Sequence, residues 1–555
     1  MENKNLNSSM SRKEKFQFAH KDVQLHDTKF ETRPVGYIED CMRRFIKNKA
    51  SVVGGIIIFL IALFAIIVPI VDPKNYVDPL QYPIGFEDSK FATVLPKLFD
   101  EGGFWDGTEV RTISETDYEQ NMVTDSNHEK IELIEKIEEK TFKGTTVKYV
   151  VRWDTYAVGC KIVTLRASEY EALIQYEKDN HIYQTEDSIV KPIVNFSRET
   201  GYLKELSDEI LNEYVTVHAM ELQKAEGLVN TIIDNMSNFY TSNSNIFFKL
   251  KPTKASSGLY NDGQFRPVLD NNGNVVEIYA RDAEGNLVYS DINNADYNVR
   301  VDYYDYFTYK NGFEIKYIFG ANQQGQDIFL RLAKGCRFSL LLGVGITIIN
   351  FIIGLIWGAI AGYYGGTIDL LMERFTDVIA NVPSIIIMTI TQIGLTSNND
   401  IQMSPFLKIT IAILIAFIYN GWVGVASTTR MQFYRFKGQE YVLASRTLGA
   451  KDRRLIFKHI LPNAVGTLVT SCVLMVPGVI FSESSLSYLG IIDFTSSGIN
   501  SIGALLAEGQ KAGLATYPHV LLFPALVISL LMISFNLFGN GLRDAFNTTL
   551  RGSED

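Results

Sequence analysis

Long apolar runs occupy two parts of the chain and leave a polar block between them. The first run, Ser51 to Val71, holds about 21 residues, enough for one bilayer crossing. Pro69, Asp72 and Pro73 are placed to end it. Ahead of it, residues 35–49 (VGYIEDCMRRFIKNK) read as a short amphipathic helix, and residues 1–34 are polar without periodicity. Five further runs follow, at roughly 338–362, 376–396, 406–427, 465–491 and 518–541. One crossing and then five more predict an all-α polytopic membrane protein with six transmembrane helices.

The polar block, residues 72–317, reads as an inserted α+β domain. It begins loop-rich. Residues 128–142 (HEKIELIEKIEEKTF) repeat apolar positions at helical spacing and predict a helix. Residues 146–166 predict paired strands, VKYVVRWD and CKIVTLR. A broken helical region is expected from about Ser168 to Asn238. Strands rich in Val, Ile and Tyr are expected at Val275–Ala280, Leu287–Ser290, Val299–Tyr309 and Glu314–Phe319, with turn signals at Asn272-Gly273 and Glu284-Gly285. In this reading Tyr303, Tyr304, Tyr306 and Tyr309 lie on a sheet. About 240 residues are enough to bury a core of their own.

Charge orients these segments. The 555 residues carry a formal net charge of −10, and a mean hydropathy of +0.04 averages over very unlike segments. The first 50 residues are basic, with Arg43, Arg44, Lys47 and Lys49 just before the first run. A second basic stretch covers 429–458. The positive-inside bias therefore puts both in the cytoplasm and the acidic block 72–317 outside the cell. The acidic balance argues against a nucleic-acid partner. No cleavable leader is expected, because the first run stands behind too long a polar segment.

Candidate chemistry is sparse. Cys41, Cys160, Cys336 and Cys472 form no CxxC pair, and only Cys160 lies well inside the block, which therefore has no internal disulfide. His128, His181 and His218 lack metal-ligand spacing, and no GxSxG, P-loop or HExxH occurs. Asp270, Asn272 and Asn274 hint at a calcium loop, but Gly273 falls too early and Val275 takes the glycine's place. No catalytic residue, metal site or cofactor of its own is expected in this chain.

The stretch Glu440 to Ala464, EYVLASRTLGAKDRRLIFKHILPNA, is different. Good helix formers run from Glu440 to Leu448, with small Ala444 and Ser445 on one side, and Gly449 is a natural stop. A second short helix is expected from Asp452 to Ile460, ending at Pro462. Arg430, Arg435, Lys437, Arg446, Lys451, Arg453, Arg454 and Lys458 would each cost roughly 2.5–3.5 kcal/mol at a bilayer centre. The segment is a cytoplasmic loop, and two short helices with a small-residue face suit docking into a partner's groove.

This stretch resembles the coupling loop of ABC importer permeases: a small-residue helix, a glycine, about ten residues and a hydrophobic-Leu-Pro end. The matching positions are Glu440, Ala444, Ser445, Arg446, Gly449, His459, Ile460, Leu461 and Pro462. The His-Ile-Leu-Pro-Asn ending is similar to that of the oligopeptide/dipeptide/nickel branch. Tyr317 to Leu342 resembles the signature GTDxxGRDxxSRxxxGxRxSL of the same branch, through Gly320, Gly325, Asp327, Arg331, Gly335, Arg337 and Ser339, while Ala321, Asn322, Gln326 and Leu330 depart from it. AGYYGGTIDLLMERFTDVIANVP resembles a further family segment, with Asp377 and Pro383 entering the third span and Arg374 the expected partner of Asp377. FSESSLSYLGI resembles EASLSFLG, with Glu483 among Ser482, Ser484 and Ser485. The ending LLFPALVISLLMISFNLFGNGLRDAFN also matches, with Asn540 in place of the usual Asp.

The resemblance covers residues 35–73 and 317–551. It implies the C-type permease subunit of an oligopeptide/dipeptide importer, and the type I importer fold. The implied division is a cytoplasmic tail and amphipathic helix (1–50), a first span (51–71), the extracellular insertion (72–317), a permease core (318–545) with its coupling loop (429–464), and a cytoplasmic tail (546–555). The chain is not an enzyme. Without GxxxxGK[ST] it cannot cradle ATP, so ATP and Mg belong to two partner ATP-binding subunits gripping the loop. A second, homologous permease subunit and an external substrate-binding protein are the other implied partners. Glu483 and Asp377 are candidate translocation-path residues. A membrane-anchored sensor or adhesion protein with the insertion as its head is the other reading, but it needs only one anchor; an ectoenzyme would need a catalytic set.

Overall fold

The computed structural model describes residues 37–72, 88–99, 105–114, 134–142, 146–193, 248–254, 260–267 and 282–546, apart from 186, 294, 398–401, 493 and 495–497, together with single residues 223, 226 and 279. Helix α1 (Tyr37–Lys47) leads into α2 (Lys49–Val71), whose first turn is capped by Asn48 accepting from the Ser51 amide at 3.3 Å. Pro69 sits inside the last turn of α2, and Asp72 caps its end.

The C-terminal bundle holds α5 (Ile328–Tyr364), α6 (Gly366–Ala380), α7 (Ser384–Ser397), α8 (Pro405–Lys437), α9 (Glu440–Thr447), α10 (Asp452–Tyr488), α11 (Ile502–Ala512) and α12 (Pro518–Phe546). Five of the helices, α2, α5, α8, α10 and α12, are long and apolar enough to cross a membrane. A sixth candidate is the bent pair α6 and α7, which turns through 67°. The chain is thus a multi-pass membrane protein with five to six candidate membrane helices. The bundle packs through small residues. Gly354 and Gly362 press so closely on α8 that a Cβ would lie 2.6 Å from Val425 Cβ and 2.7 Å from Arg430 O. Close backbone approach of this kind replaces the hydrophobic drive that lipid removes.

The second proline expectation fails. Pro462 does not end a helix: the chain passes from Asp452 to Tyr488 as one helix, with a π turn at Leu455–Ile460. The wider turn supplies the extra residue that lets the helix continue past a ring with no N–H.

Between α2 and α5 lies a region of β-sheet. Strands β1 (Thr108–Ser114), β2 (Ile134–Phe142) and β3 (Thr146–Asp154) make an antiparallel sheet in the order β1-β3-β2. A second sheet runs β4-β9-β5, with β8 also on β9, from β4 (Cys160–Arg166), β5 (Val190–Lys191), β8 (Ser290–Asn293) and β9 (Asp296–Asp302). Strands β6 (Phe248–Lys254) and β7 (Tyr260–Pro267) pair with each other. Helix α3 (Ala167–Asp179) buries Leu173 with Leu165, Val190, Val299 and Val301.

Several expectations here need correction. Residues 134–142 are strand, not helix. Glu138, Glu139 and Lys140 stay exposed, Ile137 is 49% exposed, and the open edge of β3 takes the segment as a partner. The segments 146–154 and 160–166 are strands but do not pair, because the connector carries Tyr156 into the core, where its hydroxyl donates to Leu95 O at 2.9 Å. The helical region begun at Ser168 ends at Asp179; residues 180–193 are turns and strand β5, Gln223 and Glu226 are helical, and the rest of 194–238 lies outside the described residues. The strand expected at Leu287–Ser290 is displaced to β8. The expected strand Val299–Tyr309 stops at Asp302, whose carboxylate accepts from the Tyr304 amide at 3.2 Å and starts helix α4 (Tyr303–Asn311). The four tyrosines therefore lie on a helix. Glu314–Phe319 is irregular, with Ile315 and Tyr317 fully buried. The Glu284-Gly285 turn forms, closed by Gly285 N to Asp282 O at 3.1 Å. Almost all of Val275–Ala280, the Asn272-Gly273 turn, the calcium-like stretch, His128 and His218 lie outside the described residues. All four cysteines are free.

Candidate functional site

The basic loop is built onto the ends of three long helices. Val442 of α9 is fully buried with Tyr363, Phe433, Leu455 and Ile460, so α9 is pinned beneath α5, α8 and α10. Gly449 ends α9 at φ +84, a left-handed conformation that disfavours a Cβ, and no other group lies within 4 Å of where one would be. Tyr363, in the last turn of α5, spans the loop. Its hydroxyl donates to Asp452 Oδ1 at 2.6 Å and accepts from Arg446 Nη2 at 3.3 Å. Lys437 donates to Gly362 O at 2.9 Å and ties α8 to the same corner.

The loop presents its other side outward. Glu440, Ala444, Arg446 and Pro462 are exposed, while Ser445, His459 and Leu461 are half-buried. Leu448 is 89% exposed and Phe457 62%, on a loop that also carries Arg446, Lys451, Arg453, Arg454 and Lys458. Sequence reading missed both as contact candidates, although two large apolar residues in a charged loop were a usable signal.

A second cluster holds α6 to α8. Arg430 clamps Asp369 through Nε (2.5 Å) and Nη2 (2.7 Å) and reaches Glu373 at 3.0 Å, while the Tyr434 hydroxyl donates to Asp369 at 2.6 Å. Asp377 lies at the end of α6, paired with Arg374 at 3.0 Å as its i,i+3 neighbour. Both are exposed, and Asp377 also lines a cavity of about 120 Å³ with Trp357, Glu373 and Arg430.

At the opposite end the signature residues form a latch. Asp327 caps α5 by accepting from the Phe329 amide at 2.8 Å. Arg331, only 1% exposed, makes a two-pronged contact with Glu508 of α11, at 2.5 and 2.7 Å, and donates from Nε to Asn500 at 2.9 Å. Asn322 adds a bond to Glu508 at 3.1 Å. Burial pushes the Glu508 carboxyl up, but the Arg331 guanidinium together with Asn322 and Lys511 outweighs this and the net shift is downward. Gly320 and Gly325 both take positive φ where the loop meets Val94 and Asp88. Gly335 fits against Ser501, where a Cβ would come within 3.0 Å of backbone carbon. Arg337 is exposed further along α5. Glu508 stands some 180 residues from Arg331 in the chain and was not legible as its partner.

Glu483 on α10 is fully buried. It accepts from Ser339 Oγ at 3.0 Å and Ser484 Oγ at 3.3 Å. Ser339 in turn accepts from the Ile502 amide at 3.4 Å. The carboxylate therefore sits where α5, α10 and the start of α11 meet. No group of three or more His, Cys, Asp or Glu able to hold a metal occurs among the described residues.

This architecture has known relatives. The profile described as "Binding-protein-dependent transport system inner membrane component" matches residues 354–552. That described as "N-terminal TM domain of oligopeptide transport permease C" matches 36–84. Neither reaches residues 85–353, which contain the β-sheet region and the signature loop. The oligopeptide transport system permease protein OppC of Bacillus subtilis is 41% identical over 233 residues, 42% of this chain and 72% of that protein. The dipeptide transport system permease protein DppC of the same organism is 39% identical over 42% of this chain and 69% of its own length. OppC of Haemophilus influenzae is 38% identical, over 42% and 70%. Both family profiles and these relatives agree, and the chain belongs to the binding-protein-dependent transport permeases, in the branch of oligopeptide transport permease C.

Proposed function

We propose that this permease subunit forms, with a second homologous permease, the membrane pathway for uptake of oligopeptides and dipeptides. A permease of this family is not itself catalytic and works with ATPase subunits and a binding protein. In the present reading two ATP-binding subunits grip α9 and the start of α10, both chain termini are cytoplasmic, and the sheet region between α2 and α5 stands outside the cell beside the docked binding protein. Arg331–Glu508 and Glu483 hold the outer ends of α5, α10 and α11 in register, so that closure of the ATPases tilts helices as units. Asp377 lies on the groove between α5, α6 and α8 and is the better placed of the two candidate path residues.

The observation that carries the reading is the loop itself. Leu448 and Phe457 are exposed among basic side chains, while Val442 and Tyr363 fix the same loop to the membrane helices. An apolar patch that is both unpartnered and rigidly backed is suited to transmit a push. Leu448→Asp is expected to abolish co-purification of the ATPase subunits while the protein stays inserted. If the subunits still co-purify with Leu448→Asp and Phe457→Asp combined, the loop is not the grip. Uptake of labelled peptides against labelled nickel by the reconstituted importer decides the solute.

A further inference from the structure

We propose that the sheet region carries a peptide-binding groove of its own, between α3 and α4, which takes the carboxyl-terminal end of a short free peptide. The groove has a volume of about 390 Å³ and is lined by Leu165, Ser168, Glu169, Tyr306, Tyr309 and Lys310. That volume falls in the range of small-ligand sites.

Its chemistry is graded from floor to rim. Leu165 and Tyr306 are buried, at 5% and 8% exposure, and make an apolar base. Tyr309 is held in place by the ring of Tyr176, with centroids 4.7 Å apart. Lys310 stands at the rim, its ammonium 6.0 Å from the Tyr306 ring, and has no acidic partner among the described residues. On the α3 side, Glu169 spends one oxygen on the Arg166 amide at 2.9 Å, which leaves the other uncommitted. A ligand that fits must bring an anion for Lys310, an N–H donor for Glu169 or Ser168, and an apolar group for the tyrosines. The end of a peptide has all three within one residue's reach. A simple anion such as phosphate would meet Glu169 with like charge, and a cation would meet Lys310.

The groove is also wired to the membrane domain. The neighbouring flank of α4 packs Phe307 and Tyr303 on Phe91, at 5.5 and 5.8 Å. The Tyr303 hydroxyl donates to Asp88 at 2.6 Å, and the Asp88 backbone lies against Gly325 of the signature loop. A peptide in the groove thus touches a helix that braces the loop opening α5. The proposal rests on the reading of the chain as a peptide permease, and places a capture site ahead of the pathway.

The test uses the full chain in lipid nanodiscs without binding protein. The probe is a tripeptide with a free carboxyl terminus and a central benzoylphenylalanine, photo-crosslinked and mapped by mass spectrometry. Crosslinks are expected on residues 165–172 and 303–311, competed by unlabelled tripeptide. They should fall about tenfold with the C-terminal amide and with Lys310→Glu, the scale of one lost charge-assisted bond. Ala172 also lines the groove, and Ala172→Trp, which fills it, should abolish them. Lys310 is exposed, so its variant keeps the test valid if Ala172→Trp does not fold. Crosslinks confined to the membrane helices, or unchanged in Lys310→Glu, overturn the proposal. So does protection of an Ala172→Cys thiol, which leaves Lys310 in place, by the binding protein but not by peptide; that would make the groove a protein-docking surface. Uptake of labelled peptide by the wild-type importer, measured in parallel, separates the two readings: failed uptake sinks the permease reading, and normal uptake without crosslinks sinks only the groove.

Discussion

At the scale of single residues, the Arg331–Glu508 pair carries the clearest energetic consequence. Both groups are buried or nearly so, and each satisfies the other with two bonds. Removing one partner of such a pair strands a buried charge at a cost of about 3–5 kcal/mol. Glu508→Ala is therefore expected to lower the melting temperature of the detergent-solubilised protein sharply, and Glu508→Gln less so. The pH dependence has a definite sign. The folded Glu508 carboxyl lies below its ordinary value of 4.5. Its contribution is then fully present above 4.5 and fades as pH falls through the lower folded value. The gap in melting temperature between wild type and Glu508→Gln should be wide at pH 7 and close progressively below 4.5; a gap that widens in acid would contradict the pairing. Arg331 was legible in the sequence as a signature residue, but Glu508 was not, since no local pattern links groups on α5 and α11. Tyr363 was hidden in the same way. It lay inside a quoted motif, yet its bond to Asp452 exists only because α5 ends over the loop.

The elements show why some expectations held and others did not. Helix α9 and its stop at Gly449 were readable because propensity, a left-handed glycine and burial of Val442 agree. Helix α4 was readable in principle, from Asp302 at its start and Asn311-Gly312 at its end, but its tyrosines favour strand and that preference misled. The strand β2 was misread for the opposite reason: its helical spacing of isoleucines does not bury Ile137, and pairing with β3 decides the conformation. Pro462 stopped a predicted helix that a π turn carries through. These elements support a prediction about coupling. Gly449→Ala adds a Cβ at φ +84 and should cost about 1–2 kcal/mol locally while leaving ATPase subunits bound. Gly449→Asp adds a negative charge to a basic docking surface as well. Together with the double variant Glu440→Ala and Arg446→Ala, it should leave the protein inserted while ATP hydrolysis no longer drives uptake. Tyr363→Phe keeps the packing of α9 and loses only the hydroxyl's bonds to Asp452 and Arg446, so uptake should fall with hydrolysis retained. Normal transport in all of these would show that the push enters elsewhere.

On the scale of the whole molecule, the sheet region is neither loosely tethered nor uniformly attached. Its inner layer is bolted to the bundle. Thr93 N donates to Asn322 O at 2.8 Å and Ala321 N to Val94 O at 2.9 Å. Trp105 stacks on Phe523 of α12 at 5.8 Å and donates from its indole to Ile318 O. Its outer sheet is an excursion: Gly107 and Thr155, which bracket β1 to β3, meet through Thr155 N to Gly107 O at 3.1 Å. Joining Gly107 to Asp154 by two glycines in place of residues 108–153 keeps the buried Lys97–Asp154 pair and should therefore leave melting temperature and subunit assembly close to wild type. Replacing all of 80–312 by a linker removes Asp88, Val94, Trp105 and Tyr156 from the signature loop. That variant should lose stability, and uptake should drop even if binding protein is supplied in excess; equal behaviour of the two deletions would show that the inner layer does not brace the loop.

Orientation in the membrane is the remaining prediction at this scale, and the free cysteines make it clean to test. Cys41, Cys160 and Cys336 are buried and Cys472 is half-buried, so an introduced exposed thiol dominates labelling. The basic residues at Arg43, Arg44, Lys47 and Lys49 precede α2, and those at Arg446, Lys451, Arg453, Arg454 and Lys458 lie on the loop joining α8 to α10. Positive charge near span ends favours the cytoplasmic side by the energetics of insertion. If the bent pair α6 and α7 counts as one crossing, both basic regions fall on the same side and the sheet region on the other. If it is re-entrant instead, the parity of the later spans changes and the loop at Lys451 would face outward with its charges. A membrane-impermeant maleimide on intact cells should therefore label a cysteine at Glu284 and spare one at Lys451 until the membrane is permeabilised. Labelling at both positions would show that α6 and α7 do not cross.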